Sequence, residues 1–266
     1  MLNGLKALPP PLLPAAALVF LVMAAVWIVA VRIRNAGIVD IAWSANFGLL
    51  AALYGALGTG FLPRRLLIGG MTLVWSLRLA TYLYRRVMGH HPIEDGRYVQ
   101  LRERWAPHAN RRFFWFFQVQ AGLNLVLAAP LLAACANPAP AIHPLEWAGL
   151  AIWAVAVAGE SVADRQLDAF RRDPANRGRT CRAGLWRWSR HPNYFFEWLV
   201  WVAYFVFALA SPWGWATVYC PALMLFFLFR VTGIPATEEQ ALRSRGDDYR
   251  DYQRTTRAFV PWPPRA

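Results

Sequence analysis

The chain has 266 residues, 57% of them hydrophobic and 14 of them Trp, a composition too apolar for an ordinary soluble domain and long enough for several membrane spans. Its net charge of +13 comes from 28 basic residues, all arginine except Lys6, and most fall in short stretches between apolar runs. Positive-inside topology accounts for that pattern better than nucleic-acid binding, and Cys135, Cys181 and Cys220 form no CxxC pair that would suggest a disulfide framework or a metal site.

Residues 12–31 carry no charge, with Lys6 before them and Arg32 and Arg34 after, the reverse of a signal peptide's charge order. A retained helix with its N-terminus outside is expected. Residues 38–57 form the second predicted span, in which Asp40, Trp43 and Ser44 follow i, i+3, i+4 spacing and share a face. Asp40 is either a border carboxylate pairing with Arg34 or part of a site. Residues 66–84 return as the third span with Arg78 and, one turn later, Tyr82. An arginine inside a span needs a buried partner or water, and Asp40 on the neighbouring span is the economical choice.

Residues 85–112 form a long inside loop containing Glu94-Asp-Gly-Arg-Tyr98 and a short helix near Leu101-Arg-Glu-Arg-Trp105. Its arginines suit either a cofactor or anionic lipid. His90 and His91 lie in this loop without a further Cys or His at ligand spacing, so no metal is expected. The fourth span covers 113–134 and the fifth 145–163. The fifth runs on through Glu160, Asp164, Asp168 and Arg172, a charged stripe recurring every four residues. A solvated helix face explains most of that stripe, but Glu160 sits at membrane depth.

The stretch Gly184-Leu-Trp-Arg-Trp-Ser-Arg-His-Pro-Asn-Tyr-Phe-Phe-Glu-Trp198 runs a basic turn into the sixth span. Pro192 has no N–H to lose at a helix start, and a helix beginning there aims Asn193 and Glu197 the same way, one turn apart. Arg187, Arg190 and His191 precede that start, where unpaired N–H groups and the helix dipole favour an anion. Either this is a seat for a diphosphate or carboxylate, or the arginines mark a membrane border and Asn193 caps the helix. The sixth span ends near Ala210 and the seventh covers 216–230. The polar tail contains Glu238 and Glu239, then two short helices broken at Gly246, with Tyr249 and Tyr252 facing one way.

The expected fold is all-α: one polytopic membrane domain of seven transmembrane helices, with the C-terminus cytoplasmic, a three-helix part over 1–112 and a four-helix part over 113–266. The 184–198 stretch, the 164–171 segment and the ending from Asp251-Tyr252 to Val260-Pro261 resemble the C-terminal half of the steroid 5-alpha-reductase family. Arg34-Asn-Ala-Gly-Ile-Val-Asp-Ile-Ala-Trp-Ser44 and Glu94-Asp-Gly-Arg-Tyr98 resemble its bacterial branch, whose members are mostly described only as a domain of unknown function.

The resemblance implies a reductase of the bacterial inner membrane that takes NADPH from the cytoplasmic side and a flat lipid-like substrate, often a steroid enone, from the bilayer. Asp164, Arg171, Asn193, Tyr194 and Glu197 match its cofactor-contacting positions, and Glu160, Arg190, His191, Glu239 and Tyr252 complete the candidate cofactor set. The Gln-Glu pair that steroid-reducing members carry on the second span is absent, leaving Asp40 as its only ionisable group, with Arg78 and Tyr82 on the third span. Those three are the candidate catalytic set for hydride transfer to the beta carbon of a conjugated carbonyl, with Tyr82 as acid if Asp40 is held ionised by Arg78. Arg190-His-Pro-Asn-Tyr194 followed by Glu238-Glu239 also resembles the membrane isoprenylcysteine and phospholipid methyltransferases. There a carboxylate pair would suit S-adenosylmethionine.

Overall fold

The computed structural model describes residues 10–231 and 233–264, and among these every regular element is helical. Lys6, read as an outside charge, lies outside the described residues. Among the described residues, six helical segments are long and apolar enough to cross a membrane: Leu12–Ile33, Ile38–Leu57, Leu62–Met88, Ala109–Ala136, Pro144–Arg172 and Gly214–Arg245. The predicted sixth span is a helix of 17 residues, Pro192–Ala208. At 1.5 Å per residue it is roughly 25 Å long, slightly less than a typical hydrocarbon core. The chain is a helical membrane protein.

The described residues divide into two compact units, one ending at Ile142 and the other starting at His143. The first therefore includes the helix that the sequence division at 112 assigns to the C-terminal part. It is built from α1 (Leu12–Ile33), α2 (Ile38–Leu57), α3 (Leu62–Met88), α4 (Gly96–Arg104), α5 (Ala109–Leu127) and α6 (Ala129–Ala136). The predicted fourth span is thus two helices. Pro130 cannot donate the hydrogen bond that would carry α5 onward, and its ring crowds the preceding turn, so the helix stops at Ala128 and restarts.

α2 and α3 pack side by side, and α1 packs on α5. Lipid gives helices little reason to associate, so polar bonds and close approach hold the α2–α3 seam. Ser76 Oγ donates to Ser44 O at 2.7 Å and accepts from Gly48 N at 3.1 Å. A Cβ on Gly48 would lie 2.9 Å from that Oγ, so glycine sets the helix separation. Asn46 Nδ2 donates to Asn124 Oδ1 at 3.0 Å, and Asn124 Nδ2 donates to Trp43 O at 3.0 Å, fixing α5 to α2.

Arg64, two residues before the predicted third span, belongs to the first turn of α3 and is fully buried. Its guanidinium donates to the carbonyls of Asn137, Ala139 and Ala141, so it staples the turn after α6. Arg65 does the same for Gly55 and Gly58 at the end of α2. The reason both arginines sit there is local hydrogen bonding, as well as any topology signal.

The second unit contains α7 (Pro144–Arg172), α8 (Pro192–Ala208), α9 (Tyr219–Phe226), α10 (Ile234–Arg245) and α11 (Asp247–Thr255). Two glycines let α7 and α8 approach. A Cβ on Gly149 would lie 2.9 Å from Ala203 O, and one on Gly159 would lie 2.4 Å from the Phe196 ring. The predicted seventh span is α9 preceded by a 3₁₀ turn, Gly214–Val218, and followed by a π turn, Phe227–Val231. Past Gly233 the tail starts again as α10.

Candidate functional site

In the second unit the tail closes over the basic turn. Gly184 has a φ of +57°, and a Cβ there would fall 2.2 Å from the Gln166 side chain. Glycine is required twice over, by the backbone and by the contact. Gln166 Oε1 then accepts from Leu185 N at 2.9 Å, and Trp186 Nε1 donates to Ala163 O at 2.9 Å, docking the 3₁₀ turn Gly184–Arg187 on α7.

From this anchored turn, Ser189, Arg190 and His191 reach the tail. Ser189 Oγ donates to Phe259 O at 2.7 Å, Arg190 N donates to Arg257 O at 2.9 Å, and Trp262 N donates to Trp188 O at 3.0 Å. The Arg190 guanidinium meets Glu238 Oε1 at 2.7 Å and also donates to Gln253 O at 3.2 Å and Thr256 O at 2.5 Å. His191 Nε2 lies 3.2 Å from the same Glu238 oxygen, while Gln253 Nε2 donates to Oε2 at 2.8 Å. Tyr252 OH donates to the carbonyls of Trp186 and Ser189.

Arg190, His191 and Tyr252, all in the candidate cofactor set, are therefore engaged in holding the tail down. Burial lowers the His191 pKa below its ordinary value, and the Glu238 hydrogen bond and charge oppose that shift without reversing it. Its ring stacks on Tyr194, centroids 5.3 Å apart and planes within 6°, and Tyr194 OH shares a 3.1 Å hydrogen bond with Thr237 Oγ1.

The two tail carboxylates do not act as a pair. Glu238 is the hub just described, its side chain 15% exposed. Glu239 turns outward, 64% exposed, and ion-pairs with Arg243 one turn later on α10. Adjacent positions on a helix point about 100° apart, so an adjacent pair cannot face one ligand together from a helical backbone.

Glu160 and Asp164 stand one turn apart on α7 and are both buried, at 3% and 5% exposure. Asn193 and Glu197 share a half-buried face of α8, where Trp201 Nε1 donates to Glu197 Oε1 at 3.4 Å. Because Gly159 packs on Phe196, Glu160 and Glu197 lie at one level of the α7–α8 seam. Arg171, on the last turn of α7, is exposed and borders a cavity of about 430 Å³ at the arginine-rich end of the unit.

In the first unit the candidate catalytic set splits. Asp40, in the first turn of α2, accepts from Tyr98 OH at 2.7 Å and from Arg97 Nη2 at 3.2 Å, so its partners are neither Arg78 nor Arg34. Sequence proximity and span geometry pointed to those two, but the 94–98 motif folds back over the start of α2. Asp95 caps α4, accepting from Arg97 N at 3.0 Å, and takes Arg86 Nη2 at 2.9 Å and Arg97 Nε at 3.1 Å. Glu94 accepts from Ala36 N at 2.6 Å and binds Arg102 at 2.8 Å.

Burial pushes the Asp95 carboxyl up, but the Arg97 bonds and charge, with Arg86, outweigh it and hold it at about 2. Burial first, then the Asp40 charge, raises Tyr98 well above the ordinary phenol range. Arg78 and Tyr82 remain together, as their spacing predicts, with the guanidinium 6.0 Å over the phenol ring. Arg97 and Tyr98 are the partners that sequence reasoning missed. The acidic-basic-aromatic motif was visible, but its fold-back was not.

A family model described as a protein of unknown function (DUF1295) matches residues 26–256, and the chain belongs to that family. An uncharacterized protein of Schizosaccharomyces pombe is 31% identical over 212 residues, covering 70% of this chain and 61% of its own length. The chain thus spans less than two thirds of that relative. No solved structure matches the chain.

Proposed function

We propose that this member of the DUF1295 family is a membrane-embedded, NADPH-dependent reductase of a conjugated C=C bond in a lipid or steroid-like enone, as its likeness to the steroid 5-alpha-reductases implies. The observation that carries this reading against a methyltransferase is the separation of Glu238 from Glu239. A sulfonium cofactor with an ammonium group would be served by two accessible carboxylates facing it together. Here one is neutralised by Arg190 and hydrogen-bonded to Gln253, and the other faces away with Arg243.

The residues left accessible fit a dinucleotide phosphate better. Arg171 and Arg187 are exposed cations at the ends of α7 and the basic turn, and Asn193 with Tyr194 offers an amide and a phenol at the start of α8. Bound NADPH would supply a hydride. In this reading Arg171 and Arg187 hold phosphate, Asn193 orients the cofactor by hydrogen bonding, and Glu160, Asp164 and Glu197 fix the seam beneath it. Arg190, His191 and Tyr252 act as positioning residues through the tail, and Glu239 is reassigned to the surface. Tyr82, beside Arg78, donates the proton to the substrate, while Asp40 serves the clamp with Arg97 and Tyr98.

Thermal unfolding of the detergent-purified chain with NADPH, NADH and S-adenosylmethionine tests this, since a ligand bound only by the native state raises Tm. A rise with NADPH is expected. A rise with S-adenosylmethionine and none with either nicotinamide would overturn the reading.

A further inference from the structure

The end of the tail carries an apolar surface that the packing of the second unit does not use. Residues 257–264 form a strap along the basic turn, tied by Arg190 N to Arg257 O, Ser189 Oγ to Phe259 O and Trp262 N to Trp188 O. Phe259 is the peg. It is buried among Leu228, Ile234, Phe195 and Trp198. Its neighbours are left uncovered: Val260, Trp262 and, across the pairing, Trp188 are all exposed.

α9 says what lies over them. Its exposed residues Tyr219, Ala222 and Phe226 are continued by Phe229 in the π turn, one apolar row on a segment long and apolar enough to cross a membrane. Such a row faces lipid. The Phe229 ring meets Phe259 edge-on at 5.1 Å, so the strap begins where the lipid-facing row ends.

The strap's backbone suits a layer with little water. Pro261, Pro263 and Pro264 have no N–H, and the one N–H among residues 261–264, that of Trp262, is bonded to Trp188 O at 3.0 Å. Such a stretch leaves the aqueous phase without the cost of an unpaired donor. Its charges keep it from going deeper. The Arg257 guanidinium lies 5.3 Å over the Trp262 ring, Arg230 is exposed in the π turn, and among the described residues neither forms an ion pair. Arginine heads and indole rings together favour the membrane–water boundary.

We propose that residues 257–264, with Trp188, are an interfacial anchor docked between the headgroups and acyl chains of the bilayer beside the end of α9. Phospholipid phosphates face Arg230 and Arg257. Because the strap is bonded to the basic turn, docking also holds the tail over Ser189 and Arg190. The anchor requires nothing of the reductase reading.

The test attaches bimane at Val260→Cys in the full chain, in nanodiscs of phosphatidylcholine and phosphatidylglycerol carrying nitroxide lipids labelled at the headgroup, high on the acyl chain or near the bilayer centre. Cys135, Cys181 and Cys220 are buried, and the unsubstituted chain gives the background. Asp247→Cys, in an exposed ion pair on α11, marks water, and Val155→Cys, exposed on the apolar part of α7, marks the bilayer interior. Nitroxide at the headgroup or high on the chain should quench the Val260 probe about twofold or more beyond nitroxide at the centre, and aqueous iodide should reach it less than the Asp247 probe. Adding Trp188→Gln and Trp262→Gln, which keeps the backbone pairing, should lower the lipid quenching about twofold.

Quenching by iodide with none by lipid would overturn the proposal, because the strap then lies in water. Protection from both would overturn it in favour of a second copy covering the strap, seen as two chains per disc. Quenching strongest at the bilayer centre would also sink it, since Arg257 could not follow to that depth. The probe in the otherwise native chain decides the matter even where the double tryptophan variant fails to fold.

Discussion

Glu238 accepts from Arg190 Nε at 2.7 Å, and this one ion pair ties the tail to the basic turn that leads α8. Both side chains are nearly buried, at 15% and 11% exposure, so removing one leaves the other charge poorly solvated. Glu238→Gln should lower stability by about 3 kcal/mol, the low end for breaking a buried pair. Glu239→Gln, at a pair exposed on both sides, should stay within about 0.5 kcal/mol of wild type. Thermal unfolding of the two variants side by side checks this. Equal losses would mean that the carboxylates do act together.

Shifted groups outside the spans predict two acid transitions, the upper from His191 and the lower from carboxylates that include Asp95 and Asp251. His191 is held below its ordinary 6.5 by burial, so above that value it is neutral folded or unfolded and its contribution is complete. As pH falls below about 6.5 the unfolded chain takes up the proton first, and stability declines toward the folded pKa. Asp95 has a folded pKa of about 2 against an ordinary 3.8, so its contribution is complete above that ordinary value and disappears as pH falls toward 2. A Tm profile should therefore be flat near pH 7 to 8 and step down below about 6.5 and again below about 4. His191→Gln should remove the upper step, and Asp95→Asn should shrink the lower without abolishing it, because hydrogen bonding to Arg182 also holds Asp251 below its ordinary value.

Asp40, Tyr98 and Arg97 form one clamp between α2 and α4. Tyr98→Phe leaves a carboxylate lacking its shortest bond, and Asp40→Asn leaves the phenol a weaker acceptor. Each should cost on the order of 1–2 kcal/mol, as for hydrogen bonds to a charged group, and the double variant should cost less than the sum. Strict additivity in a double-mutant cycle would show that the bond contributes nothing.

What the sequence made legible follows from the range of the signals involved. Apolar runs gave the helices, and i, i+4 spacing gave the Arg78–Tyr82 contact and the shared face of Asn193 and Glu197, because these depend on neighbours within one turn. The partners of Asp40 and Glu238 lie 57 and 48 positions away in Arg97 and Arg190, and no periodicity encodes such pairings. Pro130 lies inside the predicted fourth span, where the apolar run around it masks the break it imposes. Arg64 shows the converse: a charge at a span border reads as topology, whereas three carbonyls just past a helix are sufficient reason to bury it.

Tyr82 is the remaining test of chemistry as distinct from binding. It sits half-buried on α3, its ring under the Arg78 guanidinium at 6.0 Å. If it is the acid, Tyr82→Phe keeps the ring and the cation–π contact and removes only the proton. Turnover of an enone, followed as NADPH oxidation, should then fall by on the order of 100-fold or more, the usual contribution of a positioned acid. The NADPH-dependent rise in Tm should be unchanged. Arg78→Gln should instead lower turnover more gently, since the proton remains and only its stabilising neighbour is lost. Equal losses of cofactor binding and turnover in Tyr82→Phe would remove the assignment, because a residue that supports the fold moves both together.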